Sequence, residues 1–388
     1  MDFDLLDNRE KKNSIIHIGP GQWAGHMRIY QRECRTLVNS GFDVSLIAHA
    51  FPFDKIDSRI DFHSLGELPR DSFNLGIFNR IERSSKAFDI SKSIKANLIH
   101  YYSPEFIPWA GKLKKNKKIP IIFDCMEDFE AYFLIRDGIP KILRSTISLL
   151  VSKLLEYAAR TSDAVIFSDQ GTSKKFINSA KRIEVIHNFP DLTIFDPSLE
   201  SPSKKNYDIV FNGAVYKYTL TNCFNIDNEL VKKGYKLKWL FFGLNPEEKW
   251  VNDQLRLRRI HDRFTFEGLI PQEEVPRKLQ QARIGIIPLP DNEKFRNNIP
   301  QKLFEFMSLG IPVVMSDLPP SRELTGIEDC SKMVKPDDYL EYANAIISLL
   351  DNKSYCSDMA ERAKTLIIEE YNWQMESKKL INLYNDLL

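Results

Sequence analysis

Lys302 and Glu305 stand one helical turn apart just after a proline, in the run Pro300-Gln-Lys-Leu-Phe-Glu305-Phe-Met-Ser-Leu-Gly310. Proline is tolerated where a helix begins, because the N–H it lacks would be unpaired anyway. Gly310 suits the position just past a helix end, so the spacing predicts a helix over Gln301–Leu309. The first turn of such a helix offers free N–H groups at the positive end of its dipole. With Lys302 beside them, and a polar loop carrying Arg296, Asn297 and Ile299 leading in, Pro300 and Gln301 mark a place for a diphosphate. Glu305, one turn further in, can accept hydrogen bonds from the two vicinal hydroxyls of a ribose. The plainer reading is an ordinary strand–helix–strand unit with Glu305 in solvent. The convergence of helix start, ammonium and carboxylate favours binding, so Arg283–Leu324 reads as a nucleotide-holding segment.

Such a site needs a frame that sets helix N-termini side by side. Short β-branched runs alternate with helical patterns twice along the chain. In the first half Ser14–Gly19, Phe42–Ala48, Asn97–Tyr102, Ile119–Asp124, Ala164–Phe167 and Arg182–His187 read as strands. Helices are predicted from about His26 to Ser40, through Ala110, and from about Pro140 to Arg160. A prolyl stretch without periodicity predicts a linker over 191–206, and the alternation restarts at Tyr207. Apolar strands alternating with helices indicate a parallel sheet covered on both faces. The fold expected is α/β: two Rossmann-like, doubly wound domains facing a cleft, 1–190 and 207–370, with a C-terminal helix over 371–388.

Parallel sheets take ligands beyond the carboxyl ends of their strands. That rule nominates the loops at Gly213 and Gly243 together with the Pro288–Pro300 loop. In the first half it nominates Gly21 and Trp23, Tyr102, and Asp124–Phe129. Trp23 and Tyr102 could stack on a sugar ring or belong to the core. His100 ends a strand and is a candidate for touching substrate. The Gly19–Gly25 turn is one residue too long for a dinucleotide fingerprint, and the next strand ends in Ile47-Ala48-His49 with no carboxylate for an adenosine ribose. A nicotinamide cofactor is not expected.

Composition sets the outer bounds. The chain has 388 residues, 43% hydrophobic and 28% charged, with a net charge of +1, so no global field recruits nucleic acid. Its 5 cysteines lie scattered without a C-x-x-C pair, which argues against a disulfide framework or a zinc site and fits a reducing cytosol. Met1–Asn13 lacks the apolar core of a signal peptide, and no run reaches the ~18 apolar residues of a spanning helix. A cytoplasmic protein is expected, with a place at the inner face of the membrane open to it. Lys112, Lys114, Lys115, Lys117 and Lys118 form a basic run that is by default a solvated turn. With Lys141, Arg144 and Lys153 on the leucine-rich helix it could instead rest on anionic lipid, as a peripheral membrane contact.

The run PQKLFEFMSLGIPVVMSD, followed by REL, resembles the nucleotide-sugar site of GT-B glycosyltransferases of the GT4 type (glycosyl transferases group 1). The likeness extends over nearly the whole chain: Gly25–Ala48, Leu98–Ala110, Ile119–Leu134, Val185–Asp191 and the closing YNWQMESKKLINLY are similar to that family's regions. The resemblance implies transfer with retention from a nucleoside diphosphate sugar, of UDP or GDP type, to the hydroxyl of a glycan or lipid-linked acceptor, without a bound metal or other cofactor. It implies a donor-binding C-terminal domain, an acceptor-binding N-terminal domain, and a last helix that returns to the first domain. The products implied are cell-surface polysaccharides or glycolipids.

Departures from the family pattern matter. Asn297 stands where many members carry a carboxylate for the donor sugar. Gly213-Ala214 replaces a Gly-Arg pair, so Lys217, Lys294, Arg296 or Lys302 must hold the phosphates. Met126 replaces a histidine near the reacting centre, which suits a donor with an apolar or absent C6 group. Glu127 and Asp128, beside it, could bind or deprotonate the acceptor, or simply begin a helix. These losses keep open a catalytically silent GT-B protein that binds nucleotide or a partner. A sugar-nucleotide 2-epimerase would share the fold, but the P-x-K-x-x-E pattern argues against it.

Overall fold

The computed structural model describes residues 13–50, 55–67, 77–135, 139–245 and 247–388. The expectation about a signal peptide falls almost wholly outside them, as does Pro246. The chain divides into two compact units: residues up to Ile186 together with Ser377–Leu388, and His187–Glu376.

The first unit is built on seven parallel strands: β1 (Ser14–Trp23), β2 (Asp43–Ala50), β3 (Ile60–Glu67), β4 (Leu98–Tyr101), β5 (Ile121–Cys125), β6 (Ala164–Phe167) and β7 (Ile183–Val185). Their order is β3-β2-β1-β4-β5-β6-β7, and the order reverses its direction of growth beside β1. Both faces are covered, so the strands are apolar throughout rather than alternating; Ile15, Ile16, Ile18, Leu46, Ile47, Leu98, Ile99 and Ile122 are fully buried. β1 runs four residues beyond the expected Gly19, with a register shift against β2 between Ile18 and Trp23. The helix after it opens as a π-helix over Met27–Cys34 and continues as an α-helix over Arg35–Asn39. π-helical turns are rare and tend to mark functional segments. β3 and the helix Ile77–Ser93 were not expected from sequence.

The second unit holds six parallel strands: β8 (Tyr207–Asn212), β9 (Trp239–Phe242), β10 (Phe264–Glu267), β11 (Ala282–Ile287), β12 (Val313–Ser316) and β13 (Ser331–Val334). They lie in the order β10-β9-β8-β11-β12-β13. Trp239, Phe241 and Phe264 stack with centroids 5.3–6.1 Å apart, giving this sheet an aromatic face against the helix Lys217–Lys232.

The stretch expected as a linker, 191–206, is packed on the second unit. Phe195 is fully buried, Lys364 donates to the Pro197 carbonyl at 2.6 Å, and the Gln280 amide donates to the Leu199 carbonyl at 3.0 Å. Sequence without periodicity can still be ordered when a buried aromatic and donated hydrogen bonds pin it. The last helix, Trp373–Leu387, begins in the second unit, where the Trp373 N–H donates to the Pro190 carbonyl at 2.8 Å. It ends in the first, where Leu380, Leu383 and Tyr384 are buried.

Candidate functional site

In the second unit a cavity of 270 Å³ opens between the segments that follow β8, β9 and β10 and the helix Gln301–Ser308. It is lined by Asn212, Gly213, Gly243, Gln301, Lys302 and Glu305, with Phe242, Leu269, Ile270, Gln272 and Val275. Two glycines make the floor possible. Gly213 and Gly243 both have left-handed φ, +105° and +121°, and a Cβ on Gly243 would fall 2.4 Å from the Gly213 carbonyl oxygen. A third glycine seats the helix: a Cβ on Gly285 of β11 would lie 2.7 Å from the Phe306 ring. Glycine at that strand position is therefore what lets Phe306 pack and brings the first turn to the cavity.

Lys302 and Glu305 meet at this cavity. The Lys302 ammonium lies 3.8 Å from the centroid of the Phe211 ring and, among the described residues, has no hydrogen-bond partner. Burial holds its pKa down at about 8, against the opposing pull of Glu305 and Cys223. Glu305 is 6% exposed; its carboxylate accepts from the Asn212 amide at 2.6 Å and from the Gln301 amide at 3.2 Å. Neutral amide donors thus help to fix the carboxylate, a group whose two oxygens offer about four acceptor positions. The Asn212 Oδ1, buried with no hydrogen-bond partner among the described residues, is a further acceptor at the same wall. Pro300 precedes the helix as its cap residue rather than lying in its first turn.

The other proposed donor contacts divide. Lys217 pairs with Glu247 at 3.1 Å. Arg296 holds Asp291 through two hydrogen bonds of 2.5 and 2.8 Å and is exposed. Asn297 donates to the Glu293 carbonyl at 3.0 Å. Ile299 lies half-buried in the loop before Pro300. Lys294 lies with its ammonium 5.8 Å from the centroid of the Phe295 ring, so among the described residues Lys302 is the cation that lines the cavity.

In the first unit the expected catalytic residues are placed differently. His100 reaches no surface: it is fully buried, with Nδ1 2.5 Å from the Tyr384 hydroxyl. Burial, more than any charge, holds its imidazole below the ordinary range. Tyr102, expected on the acceptor side, is also fully buried; its hydroxyl donates to Glu33 at 2.6 Å and meets His17 Nδ1. Both corrections have one cause: a polar cluster under the last helix absorbs these side chains. For Asp128 the helix-start alternative is the one the geometry supports. Its Oδ1 accepts from the Ala131 N–H at 3.1 Å, as a helix cap does, and its Oδ2 from Lys175 at 2.7 Å. Glu127 is exposed, and Met126 is half-buried with its carbonyl accepting from Ser168 at 3.0 Å. Gly21 and Trp23 are half-buried in the last residues of β1, with the Trp23 ring 5.6 Å from the His26 ring.

Sequence reasoning missed the centre of that cluster. Arg28 donates through Nε to Asp124 at 2.6 Å, lies 3.1 Å from Glu33, and donates to the Ile186 carbonyl at 2.9 Å. All three side chains are buried. Among the described residues one group of potential metal ligands, His17, Glu33 and His100, brings ligand atoms within 4.8 Å of one another. The hydroxyls of Tyr102 and Tyr384 are hydrogen-bonded to those atoms, so the cluster holds together without an ion. An aspartate inside the apolar run Ile121-Ile-Phe-Asp-Cys125 was the available signal, since a lone charge in a central strand requires a buried partner.

Comparison with known proteins bears on both units. Residues 207–352 match a family model described as glycosyl transferases group 1, and residues 25–193 match one described as glycosyltransferase family 4. The chain is 22% identical over 232 residues to a putative teichuronic acid biosynthesis glycosyltransferase, TuaH, of Bacillus subtilis (strain 168), a match covering 56% of this chain and 53% of that protein. It is 23% identical over 159 residues to an alpha-D-kanosaminyltransferase of Streptomyces kanamyceticus, covering 41% of this chain and 40% of the relative. The matches thus span about half or less of these curated relatives. Among solved structures, sucrose-phosphate synthase from Thermosynechococcus elongatus superposes with a TM-score of 0.72 at 17% identity, over 97% of this chain and 99% of that one. Anabaena HepE in complex with UDP-glucose gives 0.69 at 14% identity, over 96% and 100%. At such identities these structures share the GT-B fold.

Proposed function

The chain belongs to the group 1 glycosyltransferases, and from that premise we propose that it moves a sugar from a nucleoside diphosphate sugar to an acceptor hydroxyl, with retention, in polysaccharide or glycolipid synthesis. The observation that carries this reading is the pairing at one cavity of the Lys302 ammonium and the fixed Glu305 carboxylate. The ammonium and the helix N–H groups suit the leaving diphosphate, and the carboxylate suits the ribose. No divalent cation is called for, because fixed donors and Lys302 take up the charge that develops on the leaving group.

The test uses the full chain with EDTA present. UDP and GDP are titrated calorimetrically, and the matching donor sugars are then followed by proton NMR. Binding of one nucleotide that survives EDTA, with an axial donor sugar released first as the axial product, is the expected result. Binding without any turnover of any donor would point instead to a silent binding protein, and an equatorial first product would overturn retention.

The same reading places the first unit against an anionic membrane. No described helix is long and apolar enough to cross one, but the helix Lys141–Thr161 turns apolar side chains outward. Ile142 is 87% and Leu150 62% exposed, joined by Leu143, Leu149 and Tyr157. Lys141 and Lys153 are exposed on the same helix, with Lys112 and Lys115 on the helix packed beside it. Lys114 and Lys117 are used internally, on Asp163 and on backbone carbonyls. Inserted leucines and a cationic rim are what an interfacial helix needs. Flotation with phosphatidylglycerol-containing vesicles should carry the protein, and pure phosphatidylcholine should not. Leu149→Ser with Leu150→Ser should cut binding by roughly tenfold or more, at about 1–2 kcal/mol per inserted leucine; equal flotation of both proteins would sink the idea.

A further inference from the structure

A second basic feature lies in the first unit, on the helix Ile77–Ser93 that neither the sequence reading nor the donor site uses. We propose that Arg80 and Arg83 form an oxyanion subsite that holds a phosphate or carboxylate group on an acidic acceptor; as an acceptor assignment it rests on the transferase reading above.

The two arginines are one turn apart, hence on one face of the helix, and both are half-buried. The helix packs against β1, β2 and β3 and against the turn Pro104–Phe106. Arg80 lies 3.3 Å from Glu105 Oε1. That same oxygen is what a Cβ on Gly21 would meet at 3.1 Å, with the Ser103 hydroxyl at 3.4 Å, so Gly21 keeps side-chain bulk away from the arginine–glutamate pair. Arg83 has no hydrogen bond or ion pair among the described residues. Its charge is felt by His49, whose imidazole is held low first by burial and then by Arg83. His49 ends β2 with its ring nitrogens 3.1 Å from the Pro20 carbonyl and 3.2 Å from the Gly66 carbonyl. Arg83 therefore lies near the carboxyl ends of β1, β2 and β3, the side on which parallel sheets take ligands.

The local charge is unbalanced. Two guanidiniums face one half-buried carboxylate, Glu105, with the exposed Glu82 beside Arg83 on the same helix; burial and then Arg80 push the Arg83 pKa down, against the opposing pull of Glu105 and Glu82. Ser84, on the next position, is fully buried with its hydroxyl unpaired among the described residues. An oxyanion bridging the guanidiniums would supply the missing negative charge and match their planar donor forks.

The experiment is equilibrium dialysis of the full chain with labelled inorganic phosphate and, in a separate arm, labelled glucuronate. Wild type is compared with Arg83→Gln, Glu105→Gln and Lys302→Met. Arg83 has no described ionic partner, so Arg83→Gln leaves no carboxylate stranded and should fold. The expected result is a site weakened at least tenfold by Arg83→Gln, tightened several-fold by Glu105→Gln and indifferent to Lys302→Met. A response to phosphate alone assigns a phosphoryl-bearing acceptor, and a response to glucuronate assigns a uronate. Anion binding that vanishes with Lys302→Met and ignores Arg83→Gln overturns the subsite while leaving the donor site standing. Binding of neither anion by the wild type, or binding that Arg83→Gln leaves unchanged, likewise overturns the subsite, whereas failure of UDP and GDP to bind would overturn the donor site alone.

Discussion

Arg28→Met is expected to lower stability by about 3–5 kcal/mol, the usual consequence of removing one partner from a buried ion group. Arg28 stands between Asp124 and Glu33, all three buried, and also ties down the Ile186 carbonyl. Burial alone would raise the Asp124 carboxyl, but Arg28 and then His100 outweigh it and hold the group below its ordinary range. Glu33 shows the opposite balance: burial pushes it well up, and Arg28 recovers only part. Without Arg28, Asp124 would lose its main counter-ion, and two carboxylates would face each other in a dry core. Urea unfolding followed by tryptophan emission measures the loss. Asp124→Asn in the Arg28→Met background should recover at least about 1 kcal/mol, because it removes the stranded charge. A loss under about 1 kcal/mol for Arg28→Met, with no coupling to Asp124, would mean that the cluster does not hold this unit together.

That cluster also explains which parts of the molecule were legible in the sequence. Strands such as Ala164–Phe167 and Tyr207–Asn212 are unbroken apolar runs bounded by polar residues, and their limits follow from burial on both faces. The meeting of Lys302 and Glu305 at one cavity was legible because Gln301, Lys302 and Glu305 lie within two helical turns of one another, whereas Asn212, Gly213 and Gly243 of the same wall come from distant loops. β3 and the helix Ile77–Ser93 were not, because Ile60–Glu67 mixes Asp61, His63 and Ser64 into an edge strand exposed on one side. Edge strands lose the continuous hydrophobic run that marks central ones. The burial of His100 and Tyr102 was illegible for a different reason. A strand end faces either a surface or whatever element covers it, and the cover here is Tyr384, 284 residues away from His100. No local pattern carries that information.

Lys302→Met is expected to weaken nucleotide diphosphate binding by about 2–4 kcal/mol, roughly 30- to 1,000-fold. The size follows from the site: the ammonium is partly desolvated over Phe211, so its attraction for a diphosphate is poorly screened by water. By contrast Lys217→Gln and Arg296→Gln, whose cations already hold Glu247 and Asp291, should shift affinity by no more than about 0.5 kcal/mol, as exposed ion pairs usually do. The pH profile separates a direct contact from a structural one. Lys302 titrates at about 8 in the free protein, and a bound dianion favours its protonated form. Affinity is therefore full below that pH and should fall by up to about tenfold per unit above it. The Lys302→Met profile should be flat across the same range, because the titrating group is gone. Calorimetric titration of wild type and variant from about pH 7.5 to 9, above the range in which the terminal phosphate itself titrates, reads both effects with UDP and with GDP. A wild-type profile without a break near 8, or an equal loss in Arg296→Gln, would move the diphosphate away from Lys302 and onto the exposed loop.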